Sequence, residues 1–323
     1  LALGAEVVAL PMQPRGQSPL ADLALLLRYR RLLRRIAPDA FLGFTAKPNI
    51  WGSLAAHSLS IPVINNISGL GTAFIQGGRL QQLVSRLYRL ALKRSATVFF
   101  QNEDDRDLFV AKRLVRADQT KLLPGSGIDL DHFAPRAGGA GPFTFLLPAR
   151  LIWDKGIAEY AVAAKLVRAQ TTEPVRFQLL GALEPPTPQS VPERALAGWS
   201  ADLDYLGPAD DVRPYIAAAD CIVLPSYREG LPRALLEAAA MARPAIATDV
   251  PGCRDAVADG KTGLLCAPRS AEALARAMER MLALTPAQRS AMGEAGRRRV
   301  ERRFDQQLVH RSYLDALDRI FIA

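Results

Sequence analysis

The chain of 323 residues is 49% hydrophobic and 23% charged, a globular balance that excludes a disordered, collagen-like or fibrous polypeptide. It holds no apolar run long enough for a transmembrane helix, and Cys221, Cys253 and Cys266 form no CxxC or His-rich cluster, so reduced thiols in a cytoplasmic protein are expected rather than a metal site. The formal charge of +9 is concentrated in the first half: residues 1–140 carry 18 Lys/Arg against 10 Asp/Glu, residues 141–323 carry 23 against 22, which points to an anionic partner for that half, either a phosphorylated acceptor, a membrane surface or nucleic acid.

The chain opens on what reads as a helix end followed by a strand, with no methionine or leader before it, so a segment is expected to be missing there. Apolar runs at 6–10, 40–44, 62–65, 97–101 and 121–124 predict strands, with a helix over 20–36 between them, and this alternation predicts a parallel sheet. Residues 77–96 predict a helix with leucines at 80, 83, 87 and 90 and with Arg79, Arg86, Arg89, Lys93 and Arg94 but no acid. Such a helix suits an anionic membrane surface; it equally suits an ordinary domain helix that turns its leucines inward.

The glycine-rich stretch 136–142 reads as a linker. Beyond it the rhythm resumes, with strands expected at 143–149, 175–181, 203–207, 220–225, 243–249 and 262–267 and helices at 157–170 and 233–241. The proline-rich stretch 184–192 reads as a surface connection, and the end, from about residue 301 to 321, as one long amphipathic helix. The expected organisation is an α/β chain of two Rossmann-like, doubly wound domains, 1–137 and 142–305, with a terminal helix over 306–323 returning to the first. Ligands of such sheets bind at the carboxyl ends of the strands, here in a shared crevice.

The most informative stretch is 224–252, a strand, a loop holding Glu229, Gly230, Leu231 and Pro232, and a helix starting near Arg233. Helix amino termini present unpaired N–H groups and partial positive charge, which suit an anionic or hydroxyl-rich ligand. Glu229 and Glu237, eight residues apart, can each accept from neighbouring hydroxyls of one ligand. After the strand at 143–149 come Arg150 and Lys155, two cations at the sheet's carboxyl edge, fit for a diphosphate whose charge grows as a bond to it breaks. For each of these residues a solvated surface role is the plain alternative.

Together these motifs, with GLGTAFI at 69–75, FFQNEDD at 99–105, PGSGIDLDHF at 124–133, ARLIWDKG at 149–156 and EGLPRALLE at 229–237, make the chain resemble the family 4 glycosyltransferases of the GT-B fold over nearly its whole length. The resemblance implies that Arg150 and Lys155 hold the donor diphosphate, that Glu237 binds the nucleotide ribose, that Glu229 orients the donor sugar, and that the backbone around Gly230, Leu231 and Pro232 contacts sugar and phosphates. It also implies transfer with retention of configuration from a nucleotide sugar, UDP-linked, without a metal or other cofactor, the departing phosphate taking the acceptor proton. KPNIWG at 47–52 and NISGLG at 66–71 resemble the subgroup that extends sugars on undecaprenyl diphosphate during surface-glycan assembly, with Lys47, Ser68, Gly69 and Gly71 lining the acceptor side and the enzyme peripheral on the inner face of the bacterial plasma membrane. Relatives extend roughly thirty residues further at the amino terminus, where a glycine-rich loop completes the acceptor site, and some carry a histidine where Ser68 stands. A nucleotide-sugar 2-epimerase of similar architecture is the competing enzyme reading; it needs acid and base groups that the sequence does not offer. Nucleic-acid binding by the basic half is the non-enzymatic one, against which stands the lack of any recognised nucleic-acid module.

Overall fold

The computed structural model of the chain describes residues 4–12, 18–70, 74, 78–139 and 141–322. Two units emerge, one of Leu1–Leu122 with Ser312–Ala323 and one of Leu123–Arg311. Both are built on parallel sheets.

In the first unit, β1 (Phe41–Phe44), β2 (Val63–Ile67), β3 (Thr97–Phe100) and β4 (Thr120–Leu122) lie side by side in sequence order. Residues 6–10, expected as a strand, form none: an apolar run becomes a strand only where a neighbour offers N–H and C=O groups to pair with, and the ladder begins at β1. Helix α1 (Pro19–Ile36) starts on Ser18, whose Oγ accepts the Ala21 N–H, with Pro19 in the first helical position; it ends at Ala37, left-handed, with its N–H on the Leu33 carbonyl. A π-helical turn, Pro48–Gly52, leads into α2 (Ser53–His57). Both are tied to β2 by buried Asn65, whose Nδ2 donates to Asn49 Oδ1 at 2.9 Å and Ser53 Oγ at 2.8 Å while its Oδ1 accepts from Ser95.

Helix α3 (Gly78–Leu92) buries Tyr88, Ala91 and Leu92, with the Tyr88 ring edge-on to Phe109 of α4 (Glu103–Ala111) at 5.2 Å. The four-leucine stripe does not act as one: Leu87 packs against the core, whereas Leu83 and Leu90 stay 55% and 60% exposed. The core-facing side is set by Tyr88 and Ala91, which lie about a quarter-turn or more away from Leu83 and Leu90 at 3.6 residues per turn.

The second unit's sheet runs β10-β9-β8-β5-β6-β7, from β5 (Phe143–Pro148), β6 (Val175–Leu180), β7 (Asp204–Gly207), β8 (Cys221–Leu224), β9 (Ala245–Thr248) and β10 (Gly263–Cys266). Successive β5 side chains alternate, Phe145 and Leu147 entering one buried cluster and Leu146 the other, so apolar layers cover both faces. Helices α5 (Ile157–Gln170), α6 (Glu193–Trp199), α7 (Arg213–Ala218), α8 (Arg233–Ala240), α9 (Cys253–Ala256), α10 (Ala271–Ala283) and α11 (Pro286–Arg303) supply the layers. Tyr160 of α5 is wholly buried, its hydroxyl donating to the Phe145 carbonyl at 2.9 Å; burying such a ring contributes about 2–3 kcal/mol. Gly207, Gly156 and Gly252 take positive φ.

Three sequence expectations need revision. The terminal helix does not run unbroken from 301: α11 stops at Arg303 and α12 (Gln306–Ile322) starts after buried Phe304, because Ile128 N–H donates to Phe304 O and Gln306 N–H to Ile128 O, inserting a bridge between the helices. Segment 123–135 falls in the second unit, held by Ile128 and Phe133 in its core, whereas composition alone draws attention to Gly138, Gly139 and Gly141. Stretch 184–192 is more than a surface connection: Val191 is buried, its N–H donates to Leu151 O, and Trp153 N–H donates to Gln189 O. All three cysteines are free and buried. Among the described residues no helix is long and apolar enough to cross a membrane, and no cluster of three or more His, Cys, Asp or Glu could hold a metal.

Candidate active site

In the second unit, the connections from β5 lead one way across the sheet to β6 and β7 and the next strand, β8, lies on β5's other side. The strand order thus reverses between β5 and β8, and at such a reversal the loops leaving the two carboxyl ends part and open a crevice. The loops that leave there are the two that the sequence singles out, 150–156 and 225–232.

These loops are locked to one another. Gly156 is left-handed (φ 70°) and a Cβ on it would strike the Pro225 carbonyl, so only glycine lets the chain turn from the short 3-10 helix Trp153–Lys155 into α5 this close to β8. Tyr227 N–H donates to Asp154 O at 2.9 Å. The Tyr227 hydroxyl donates to Glu159 Oε1 at 2.6 Å, and the Arg269 guanidinium sits 4.6 Å above its ring; burial and the neighbouring Glu159 carboxylate push the phenol pKa well up. Thr248 Oγ1 donates to the Ser226 carbonyl, and the buried Ser226 Oγ has no partner among the described residues. Beneath the loop, Gly252 (φ 79°) abuts the carbonyls of Glu229 and Gly230, leaving no room for a Cβ.

The result is that Lys155 Nζ donates to Glu229 Oε1 in a close ion pair, both side chains largely buried. A pair withdrawn from water interacts more strongly than an exposed one but needs its remaining hydrogen-bonding capacity satisfied. Lys155 has two further N–H donors and Glu229 a second oxygen to offer.

Leu231 is buried, in reach of Gly125, which gives the PGSGID segment a packing role beside the EGLP loop. Pro232 begins α8 with no side-chain cap, so the helix end keeps N–H groups for a ligand. One turn in, Glu237 is 12% exposed and paired with Arg233 at 3.2 Å. Burial raises its pKa, against the lowering pull of Arg233 and, more weakly, His132. Arg150, by contrast, is 59% exposed and reaches Glu184 Oε1 at 3.4 Å. The structure therefore joins Lys155 to Glu229 but gives Arg150 and Glu237 partners of their own. The sequence reading missed Glu184, Tyr227, Glu159, Arg269 and Gly252. Gly252, in the VPG that closes the motif, was the one with a local signal, since a glycine after proline marks a special turn.

In the first unit, Lys47 follows β1, and Ser68 and Gly69 follow β2; the strands pair in parallel through Phe44 and Asn66, so all three residues lie at one carboxyl edge. Lys47 Nζ donates to Asp22 Oδ1 at 2.7 Å. Ser68 is exposed and Gly69 takes φ 149°. Gly71 lies outside the described residues. His57 bonds the Ala91 carbonyl at 2.9 Å, a structural contact.

Two family models match the chain in succession: a glycosyl transferase 4-like domain over residues 2–126 and glycosyl transferases group 1 over residues 142–283. The N,N'-diacetylbacillosaminyl-diphospho-undecaprenol alpha-1,3-N-acetylgalactosaminyltransferase of Campylobacter jejuni is 24% identical over 98% of this chain and 87% of its own length. Among solved structures, sucrose-phosphate synthase from Thermosynechococcus elongatus superposes with a TM-score of 0.81 at 23% identity, covering 96% of this chain and 80% of that one. Anabaena Alr3699/HepE, solved in complex with UDP-glucose, superposes with a TM-score of 0.77 at 18% identity over 93% and 84%. The fold is accordingly that of the GT-B enzymes.

Proposed function

This chain belongs to the glycosyltransferases that join a 4-like domain to a group 1 domain, and we propose that it moves a sugar from a UDP-sugar to a polyprenyl-diphosphate-linked glycan, with retention of configuration, during surface-polysaccharide or glycan assembly. The observation that carries this reading is the Lys155–Glu229 pair held between two interlocked loops where the strand order reverses.

In this reading the donor's diphosphate takes the free N–H donors of Lys155, and Arg150 swings from Glu184 to meet it. As the bond from the sugar's anomeric carbon to the diphosphate oxygen breaks, negative charge grows on that oxygen, and a fixed cation stabilises it more than it stabilises the ground state. Glu229, fixed by Lys155, accepts from hydroxyls of the donor sugar; backbone N–H groups at Gly230 and Leu231 and the open start of α8 after Pro232 meet sugar and phosphates; Glu237 accepts from the ribose diol. The acceptor hydroxyl attacks the face the diphosphate is leaving, and its proton passes to the departing phosphate oxygen. Cationic side chains supply the positive charge in this scheme, so chelators are expected to leave the rate unchanged.

The acceptor falls to the first unit, where Lys47, Ser68 and Gly69 share a sheet edge. The relative that adds N-acetylgalactosamine to an undecaprenyl-diphosphate-linked sugar supports a lipid-linked acceptor, and such a substrate puts the enzyme at the inner face of a membrane. The test is product analysis with UDP-sugars and a short-chain polyprenyl-diphosphate sugar. UDP release that requires the acceptor, with an anomeric proton coupling matching that of the donor, is expected; an isomeric nucleotide sugar made without acceptor would instead identify an epimerase.

A further inference from the structure

Tyr227 stands two residues before Glu229, and its backbone N–H is bonded to the carbonyl of Asp154, the neighbour of Lys155. Its side chain leaves the loop and meets the starts of two helices. The hydroxyl donates at 2.6 Å to Glu159 Oε1 in the first turn of α5, and the ring carries the guanidinium of Arg269, just ahead of α10, at 4.6 Å. Burial and the adjoining carboxylate hold the phenol in its protonated, donating form.

Two local penalties accompany this arrangement. Glu159 Oε2 is buried with no hydrogen-bond partner among the described residues, and a buried carboxylate oxygen left unsatisfied destabilises a fold. Arg269 sits in the left-handed region at φ 57°, where a residue with a Cβ is strained. Packing alone does not select either feature, since apolar side chains of similar shape at 227 and 159 would fill the same space with no polar group left over. Strain of this kind persists where the surroundings hold reacting groups in place.

We propose that Tyr227, held by Glu159 and Arg269, is the positioning residue of the donor site, setting the placement at which Lys155 and Glu229 meet the donor's diphosphate and sugar. The role rests on the sugar transfer proposed for this edge. The Tyr227 amide fixes the loop of Lys155, its main chain runs through Arg228 into Glu229, and its hydroxyl and ring fasten both loops to the starts of α5 and α10. Without the hydroxyl the pair is free to shift by a fraction of an ångström. Such a shift weakens the hold on bound diphosphate a little and the stabilisation of developing charge much more, because the latter depends on alignment.

Calorimetric titration of UDP into the parent, Tyr227→Phe, Lys155→Ala and the double variant tests it. Phenylalanine keeps the ring under Arg269 and removes only the hydroxyl. Tyr227→Phe alone should weaken UDP by about threefold, and in its background Lys155→Ala should cost about threefold rather than the roughly tenfold or more expected in the parent, because a misplaced ammonium has less to lose. In transfer assays below the melting temperature of every variant, Tyr227→Phe should lower kcat by roughly tenfold to a hundredfold. Glu159→Gln, which keeps an acceptor for the phenol, should recover most of the rate that Glu159→Ala loses. Arg269→Ala, which removes the guanidinium and keeps a Cβ at the same backbone position, should lower kcat about threefold. Additive effects of the two substitutions on UDP binding, or a lowered melting temperature with unchanged kcat in Tyr227→Phe, overturn the positioning role and leave the transferase reading standing. A parent chain that binds no UDP overturns that reading, and the positioning role falls with it.

Discussion

The two sheet edges that carry the candidate residues are built differently. In the second unit the loops after β5 and β8 are fixed from several sides, by Gly156 against Pro225, Gly252 against Glu229 and Gly230, Tyr227 against Asp154 and Glu159, and Lys155 against Glu229. In the first unit Lys47 has a single ion pair and Ser68 faces solvent. Stabilising charge that develops during bond cleavage requires groups that need not reorganise, whereas an acceptor edge can adapt to a large glycan. In the proposed mechanism the donor edge is the pre-formed half of the chemistry.

This contrast can be broken in graded steps. The largest effect is expected for Lys155→Ala, which removes the cation proposed to face the leaving group and strips Glu229 of its partner: kcat/KM should fall by roughly two to three orders of magnitude, measured by UDP release, with a lower melting temperature as well because a largely buried carboxylate is left unpaired. Next, Gly252→Ala forces a Cβ into the carbonyls of Glu229 and Gly230 at positive φ, which should cost about 1–3 kcal/mol of stability in a denaturant titration and lower kcat as Glu229 shifts. Gly260→Ala, at an exposed turn of similar positive φ (68°) but with open space around the Cβ, is the control that carries the backbone strain without the clash.

Glu237 allows a pH test. Burial raises its carboxyl pKa, so the folded protein holds that proton to higher pH than an unfolded glutamate. A ribose diol needs the ionised carboxylate as acceptor, so donor affinity should decline on acidification from a pH above the ordinary glutamate range. Glu237→Gln should weaken UDP binding by about tenfold and flatten that decline. The smallest effect is expected in the first unit: Lys47→Ala should raise the acceptor KM severalfold, on the order of 1 kcal/mol, and leave the donor KM alone.

Much of this was legible in the chain. Helix 157–170 and every strand of the second unit are signalled by apolar runs bounded by Gly, Pro or Asp, and the loop of Glu229 by its glycine and proline. What escaped depends on partners distant in sequence. The break at Phe304–Asp305 exists because Ile128, far upstream, bonds both sides of it. Arg150 finds Glu184, and Tyr227 finds Glu159 and Arg269, contacts that no local pattern announces. Residues 6–10 have strand composition but no ladder. The split of leucines on α3 was unreadable for a related reason: the sequence marks which residues are apolar, and packing against Phe109 decides which of them turn inward.

The most direct test of the pre-formed donor edge is calorimetric titration of UDP into the parent chain and into Lys155→Ala. The account predicts a dissociation constant at least about tenfold larger for the variant, because a charged hydrogen bond to the diphosphate is lost. Equal affinity, with both proteins folded, would mean that the loops after β5 and β8 do not hold the diphosphate and would contradict it.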